Sequence, residues 1–378
     1  MCTNQPTPDV TATIELTPTD IVEASTRAYG ANSEGLRLAH VDSSARASLD
    51  AFVPPSRTAR EDAQELVLSP GATRAHGAGL RAVDEDPDPY RTCFEQDVDR
   101  IIHTSAFRRQ AGKCQVFMAP DDIHLRTRLT HALEVHQIAK SVSYATGLNA
   151  TLAEAIALGH DCGHGPGGHA AERALGVFLD EGFDHAIWGA DVTLAPLNLC
   201  RETLEGIRQH SWRLSAPSTP EAEVVSWADR IAYVTHDYND ALRHGILSPR
   251  DLPISLRDSC GPDQASQIRF FSSALISTTV TTGAIAMDEP HARVLDEFRR
   301  FNYERIYESP RAVISNSHVV DVLRFLVEFC AANPALIPEH PHEVPHSYTS
   351  NQDLYRAVRY VASMTDRYAL DLYSAWHH

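Results

Sequence analysis

The chain has 378 residues, 43% of them apolar, enough for one large domain or two ordinary ones with a sizeable core. Its formal net charge of −17 repels nucleic-acid backbone and anionic lipid, so an anionic substrate would need a local basic pocket. There is no apolar run of about eighteen residues for a membrane helix and no basic or apolar leader at the start. The seven scattered cysteines lack a C-x-x-C pair and read as reduced thiols. Together these features predict a cytoplasmic protein with neither a membrane nor a nucleic-acid partner.

Residues 1–66 are rich in Thr, Ser, Ala, Pro and Asp and read as a loosely packed arm, with short helical patterns at Ile21–Tyr29 and Thr58–Leu68. A main domain is expected over 67–378. From Tyr90 onward the apolar residues recur at helical spacing. Val98, Ile101, Ile102 and Phe107 fit one helix face. Leu129, Leu133, His136 and Val142 mark a second, with Ala132, Val135 and Ala139 beside them. Ala150–Leu158 makes a third helix, stopped by the glycines that follow. Ser218-Thr219-Pro220-Glu221 is a helix start that runs to about Arg243. Later helices are expected at His291–Tyr307, Val319–Ala332 and Asn351–Trp376. Gln267–Phe271 and Ala274–Thr281 could pair as a small sheet. The fold class is mainly α, a helical bundle with additional C-terminal helices and a minor β element.

The chemistry concentrates in LGHDCGHGPGGHAAE, Leu158–Glu172. His160-Asp161 ends an apolar helix. His131, in RLTHALEV, and Asp229, in SWADRIAYVTHD, are polar groups within apolar segments before and after it. Buried imidazoles and carboxylates need partners or a metal. Two imidazoles and two carboxylates make a mixed N/O site that suits Mn²⁺, Fe²⁺, Co²⁺, Ni²⁺ or Zn²⁺, and Mg²⁺ less naturally. His169 and Glu172 lie three apart on one side of the helix after the glycines. Asp229, Tyr233 and Asp237, at i, i+4 and i+8, share one helix face. Arg128 is nearly on the face of His131, and Arg230 follows Asp229.

H…HD…D on successive helices resembles the HD-domain phosphohydrolases. RTCFEQDVDRIIHTSAFRRQAGKCQVF, LRTRLTHALEVHQIAK, GHDCGHGPGGHAAE, LNLCRETLEGI, ADRIAYVTHD and VASMTDRYAL resemble, in order, the deoxynucleoside triphosphate triphosphohydrolases of the dGTPase-like family. The likeness runs from about Leu68 to the C-terminus. It implies an HD core at about 125–245, a C-terminal helical part at 246–378, and hydrolysis of dNTPs to deoxynucleoside and inorganic triphosphate. By this resemblance His131, His160, Asp161 and Asp229 hold a divalent metal ion (Mn, Mg, Fe, Co or Ni). His169 is the general acid supported by Glu172, and His185 contacts phosphate or assists proton transfer. His164 either touches the triphosphate or supports a ligand. Tyr233, Asp237 and Gln115 read the sugar. Arg128, Arg230 and Arg299 neutralise phosphate, and Tyr307 meets sugar or base. After His185 the family usually has Asn and then Gln-Ser-Leu-Arg, where this chain has Ala-Ile-Trp-Gly-Ala-Asp. The resemblance also implies a homo-oligomer, a hexamer or another dimer-based assembly, with a nucleotide activator in some members. The competing readings are an HD nucleotidase or phosphodiesterase on another phosphate ester, and a catalytically silent nucleotide-sensing oligomer.

Overall fold

The computed structural model describes residues 30–31, 37–38, 53–116, 125–338, 348–349 and 351–377. The Ile21–Tyr29 helical pattern and most of the expected arm lie outside them. Two compact units divide at Pro54/Pro55. In the first, Gly30–Ala31 pairs antiparallel with Arg37–Leu38. The second, Pro55–His378, is built of helices. None among the described residues is long and apolar enough to cross a membrane, and the six described cysteines are free and buried.

Helices α1 (Arg57–Gln64), α2 (Cys93–Ile102) and α3 (Ser105–Arg109) lead into the site-bearing elements α4 (Arg128–Thr146) and α5 (Ala150–Gly159). Then come α6 (His169–Leu175), α7 (His185–Trp188), α8 (Arg201–Gln209) and α9 (Pro220–Arg243). The remainder is α10 (Ile254–Cys260), α11 (Gln264–Thr282), α12 (Glu289–Asn302), α13 (Pro310–Ala332), α14 (Gln352–Ala362) and α15 (Asp366–Trp376). Two apolar clusters hold them. The larger joins Val135, Ile138 and Val142 of α4 to Leu152 and Ile156 of α5, Val225 and Ile231 of α9, and Phe271 of α11. The smaller packs Ala171 and Leu175 of α6 against Val319, Leu323 and Leu326 of α13 and Val358 and Val361 of α14.

Buried carboxylates fix how these helices start. Glu221, at the head of α9, accepts from Thr73 N, Thr73 Oγ1 and Asn149 N, tying α9 to the start of α5. Thr219 is the N-cap, and its side chain accepts from Ala222 N. Asp97 of α2 accepts from Cys200 N and Thr203 Oγ1, at the head of α8.

The structure corrects several expectations. Gln267–Phe271 and Ala274–Thr281 form one helix rather than a sheet. The Thr- and Val-rich run has strand propensity. However, Asp263 starts a helix through a capping box and Gly283 ends it at φ 75°, while Phe271, Ala274 and Leu275 bury one stripe. Thr281 and Thr282 hydroxyls donate to the carbonyls of Ser277 and Thr278, four residues back. On α4 the buried face is Ala132, Val135, Ile138, Ala139 and Val142, while Leu133 is exposed. Ile102 is likewise exposed, and Phe107 lies on the separate α3. Asn351–Trp376 breaks into two helices because Thr365 caps a new one, accepting from Tyr368 N. The helix expected from Val319 begins earlier, at Pro310.

Candidate active site

Helix α4 enters the site through a capping box in which Thr127 and Thr130 bond each other's backbone N–H. Its first turn therefore carries Arg128 and His131 at a fixed angle. The alanine-rich α5 is buried on nearly every side and delivers His160 and Asp161 at its end. The His160 Nδ1–H donates to the Ala157 carbonyl at 2.7 Å, which leaves a bare lone pair on Nε2. That Nε2 is buried without a hydrogen-bond partner among the described residues. It lies 3.4 Å from Asp161 Oδ1 and 3.8 Å from Asp229 Oδ1. His131 Nε2 lies 3.0 Å from Asp229 Oδ1 and 4.0 Å from Asp161 Oδ2. An orphaned imidazole lone pair facing two carboxylates fits a divalent cation, with the carbonyl on the far nitrogen orienting the ring.

Both carboxylates are held ionised. Burial alone would raise Asp229, but the hydrogen bond with His131 and the nearby His160 hold it well below the usual carboxylate range. Asp161 behaves the same way: against burial, His160, Arg128 and His164 keep it low. Arg128 Nη1 donates to Asp161 Oδ2 at 2.7 Å, both side chains being buried. The residue expected to neutralise phosphate thus also braces a carboxylate of the proposed metal set. Gly168, at φ 60°, lies so close that a Cβ there would sit 2.4 Å from Arg128 Nη2.

A second group of histidines surrounds Glu172. His169 Nδ1 lies 3.1 Å from Glu172 Oε2, on the mostly exposed rim. Glu172 Oε1 is taken by His185 Nδ1 at 2.6 Å, so this carboxylate serves two imidazoles. Burial would raise Glu172, but those two hydrogen bonds drive it far below its ordinary value. Burial would likewise depress His185, and the Glu172 contact raises it instead. The His164 ring stacks on His185 with centroids 3.6 Å apart, and its Nε2 lies 3.2 Å from Asp161 Oδ1. The segment after His185 forms a short turn capped by Asp184, then a π-helical turn at Gly189–Thr193. Trp188 in that segment packs on Phe183 within the smaller apolar cluster.

Sequence reasoning missed His210. Its Nδ1 donates to the Ile207 carbonyl at 2.8 Å, and its Nε2 lies 3.2 Å from His185 Nε2. Burial, then His160 and His185, hold it down to about 4. It repeats the local geometry of His160, a histidine just past a helix end bonded to the carbonyl three residues back. An isolated histidine in RQHSW carries no spacing that would reveal this. Trp212 was missed for the same reason; the Arg230 guanidinium lies 3.2 Å over its ring and 3.6 Å from Asp296.

Across the cavity, Asp229, Tyr233 and Asp237 project from one face of α9. The Tyr307 hydroxyl donates to Asp237 Oδ2 at 2.5 Å, and Arg299 Nε donates to the Tyr233 hydroxyl oxygen at 3.0 Å. Burial pushes Asp237 up to about 7 even though Tyr307 opposes it. Asp237 Oδ1 and Gln115 Oε1 are buried without hydrogen-bond partners among the described residues. These groups enclose a cavity of about 520 Å³. Every site residue expected from the sequence lines it except His160, which lies beneath.

Residues 128–234 match the HD domain, and residues 285–375 match the phosphohydrolase-associated domain. The chain is similar to deoxyguanosinetriphosphate triphosphohydrolase-like proteins. One from Caldanaerobacter subterraneus subsp. tengcongensis is 37% identical over 83% of this chain and 93% of its own length. One from Clostridium tetani is 34% identical over 83% of this chain and 94% of its own. One from Ruegeria is 34% identical over 81% of this chain and 98% of its own.

Proposed function

This chain belongs to the deoxyguanosinetriphosphate triphosphohydrolase-like family of HD-domain phosphohydrolases, and from that membership we propose that it hydrolyses deoxynucleoside triphosphates to deoxynucleoside and inorganic triphosphate. The observation that carries the proposal is the pairing of two surfaces in one cavity. On one side are His131, Asp161 and Asp229, with His160 converging on them from beneath. On the other are Tyr233 and the two unpartnered acceptors Asp237 Oδ1 and Gln115 Oε1.

A divalent ion, which this donor set fits, supplies Lewis-acid polarisation of a phosphoryl oxygen and a more acidic water when bound. The protein's own groups do the rest. His169, aligned by Glu172, protonates the departing 5'-oxygen. Its position on the cavity rim gives it access to substrate, and Glu172 stays ionised to support the imidazolium. Arg128, Arg230 and Arg299 offset the triphosphate charge that the acidic chain would otherwise repel. The Asp237 and Gln115 acceptors offer a hydrogen-bond partner to the 3'-hydroxyl. The Tyr233 ring packs under C2', where a ribose hydroxyl would clash; this is the physical reason for a deoxyribose preference.

The test is to incubate the protein with Mn²⁺ and each dNTP and resolve the products. Deoxynucleoside with intact triphosphate is expected. Release of dNMP and pyrophosphate would overturn the proposal and favour a different phosphate-ester hydrolase.

A further inference from the structure

We propose that Asp366 is a positioning residue for the substrate site: its carboxylate ties the backbone beside Gln115 to the backbone beside His169, so that sugar recognition and proton delivery are set in one geometry. The inference deepens the dNTP reading and rests on the roles given there to Gln115 and His169.

Asp366 belongs to VASMTDRYAL, no residue of which lines the cavity. It opens α15 just after the capping Thr365 and is buried. A buried carboxylate needs donors, and Asp366 takes two from loops far away in sequence. Its Oδ2 accepts from Cys114 N at 2.8 Å, and its Oδ1 accepts from Gly167 N at 3.0 Å. The buried carboxylates of Glu221 and Asp97 tie helix starts to other parts of the fold. Asp366 instead joins two loops that carry site residues. Gln115 follows Cys114 directly, and His169 comes two residues after Gly167.

Neither of those two side chains fixes itself. Gln115 Oε1 has no hydrogen-bond partner among the described residues. The His169 side chain is 65% exposed, with Glu172 beside it. The place of each group is therefore set by its backbone. That backbone has little room around the carboxylate. A Cβ on Gly112 would lie 2.7 Å from Thr365 Cγ2, and one on Gly167 would lie 2.6 Å from Val319 Cγ1. Lys113 adds a parallel link by donating to the carbonyls of His164 and Ala362. Arg128 N donates to the Lys113 carbonyl at 2.9 Å, so the same junction reaches the head of α4. A hydrogen bond from a backbone N–H to a carboxylate is about twice as strong as a neutral one. A displacement of about 1 Å at a reacting group costs about 10²-fold in rate. One carboxylate that holds both backbones thus acts on the sugar contact and on the acid at once.

The test compares Asp366→Asn with the unsubstituted chain, using Mn²⁺ with a dNTP and with the 2',3'-dideoxynucleoside triphosphate of the same base. Asparagine keeps one acceptor oxygen and turns an amide donor toward the second N–H. With the dNTP, kcat/KM is expected to fall about 10²-fold, with kcat down and KM up. The preference for the dNTP over the dideoxy compound is expected to fall about tenfold, because the 3'-hydroxyl loses its aligned partner. Val327→Ala is the stability control. Val327 lies in the same apolar cluster and does not line the cavity, so its loss should lower the denaturation midpoint and leave that preference unchanged. An equal fall for both nucleotides in Asp366→Asn would overturn the positioning role and leave the dNTP reading intact. No turnover of any dNTP by the unsubstituted chain would overturn that reading, and the pairing of Gln115 with His169 along with it. Amide hydrogen exchange followed by nuclear magnetic resonance needs no variant to fold. In the unsubstituted chain the Cys114 and Gly167 N–H groups are expected to exchange slowly and at one rate; unprotected or unequal exchange would overturn the tie.

Discussion

Arg128 shows how one buried side chain can carry two demands. Its guanidinium both lines the cavity and neutralises Asp161, with both groups out of water. Arg128→Met takes the guanidinium from a buried carboxylate, which costs about 3–5 kcal/mol, and removes the partner that orients an oxygen of the proposed metal set, which costs about 10–100-fold in metal affinity. Thermal unfolding and Mn²⁺ titration measure the two losses separately; unchanged Mn²⁺ affinity would remove the bracing role. His169 is the opposite case. It is largely exposed, so His169→Ala should fold and bind metal normally while turnover drops about 10²–10⁴-fold. An unaltered rate would exclude it as the acid. The four converging donors and the His169–Glu172 pair were legible because spacing or chemistry singles them out. The sharing of Glu172 with His185, and the place of His210, were not, since both depend on residues brought together by the fold.

At the scale of elements, the glycines of the HD segment act in two different ways. Gly167 and Gly168 take φ values of 73° and 60°, where glycine is favoured. Gly163 needs no such φ; its limit is space. A Cβ there would meet the His185 carbonyl oxygen at 2.0 Å and Gly189 N at 2.4 Å, both backbone atoms. Gly163→Ala should therefore push the His185 turn off α5 and cost about 3 kcal/mol or more. Chemical denaturation measures the loss, and a change below about 0.5 kcal/mol would show that the turn can move freely. The helix start at Thr219-Pro220 is a local signal, whereas the cap at Thr365 sits inside a stretch, Asn351–Trp376, that reads as one helix. The strand-like Thr/Val run inside α11 misled because burial of Phe271, Ala274 and Leu275 along one stripe overrides propensity.

At the scale of the molecule, the smaller apolar cluster is joined to the site by buried polar links. Asp366, at the start of α15, accepts from Cys114 N and Gly167 N. The Lys113 ammonium donates to the carbonyls of His164 and Ala362. Burial pulls Lys113 down to about 7 from its ordinary 10.5, with Arg109 adding to the fall and Asp366 opposing it. In that interval the unfolded chain binds the extra proton, so stability should rise as pH climbs from about 7 toward 10.5. Below that interval both states are protonated and the full penalty of the buried charge persists. The rise is on the order of 1.4 kcal/mol for each pKa unit separating the two states. Denaturant melts across this range should show it, and Lys113→Met should flatten it. A parallel rise in the variant would assign the effect to other groups.

Sequence alone determined the helical class and the order of the main helices, and it singled out His131, His160, Asp161 and Asp229 as candidate metal donors. Each of these follows from local periodicity, capping, or residues whose burial demands a partner. Only the tertiary structure decided that Arg128 braces Asp161, that His210 meets His185, and that the C-terminal helices lock the Cys114 and Gly167 loops through Asp366. Those contacts join residues 25 to 252 positions apart. Their pairing is set by how whole helices pack, which no local pattern encodes.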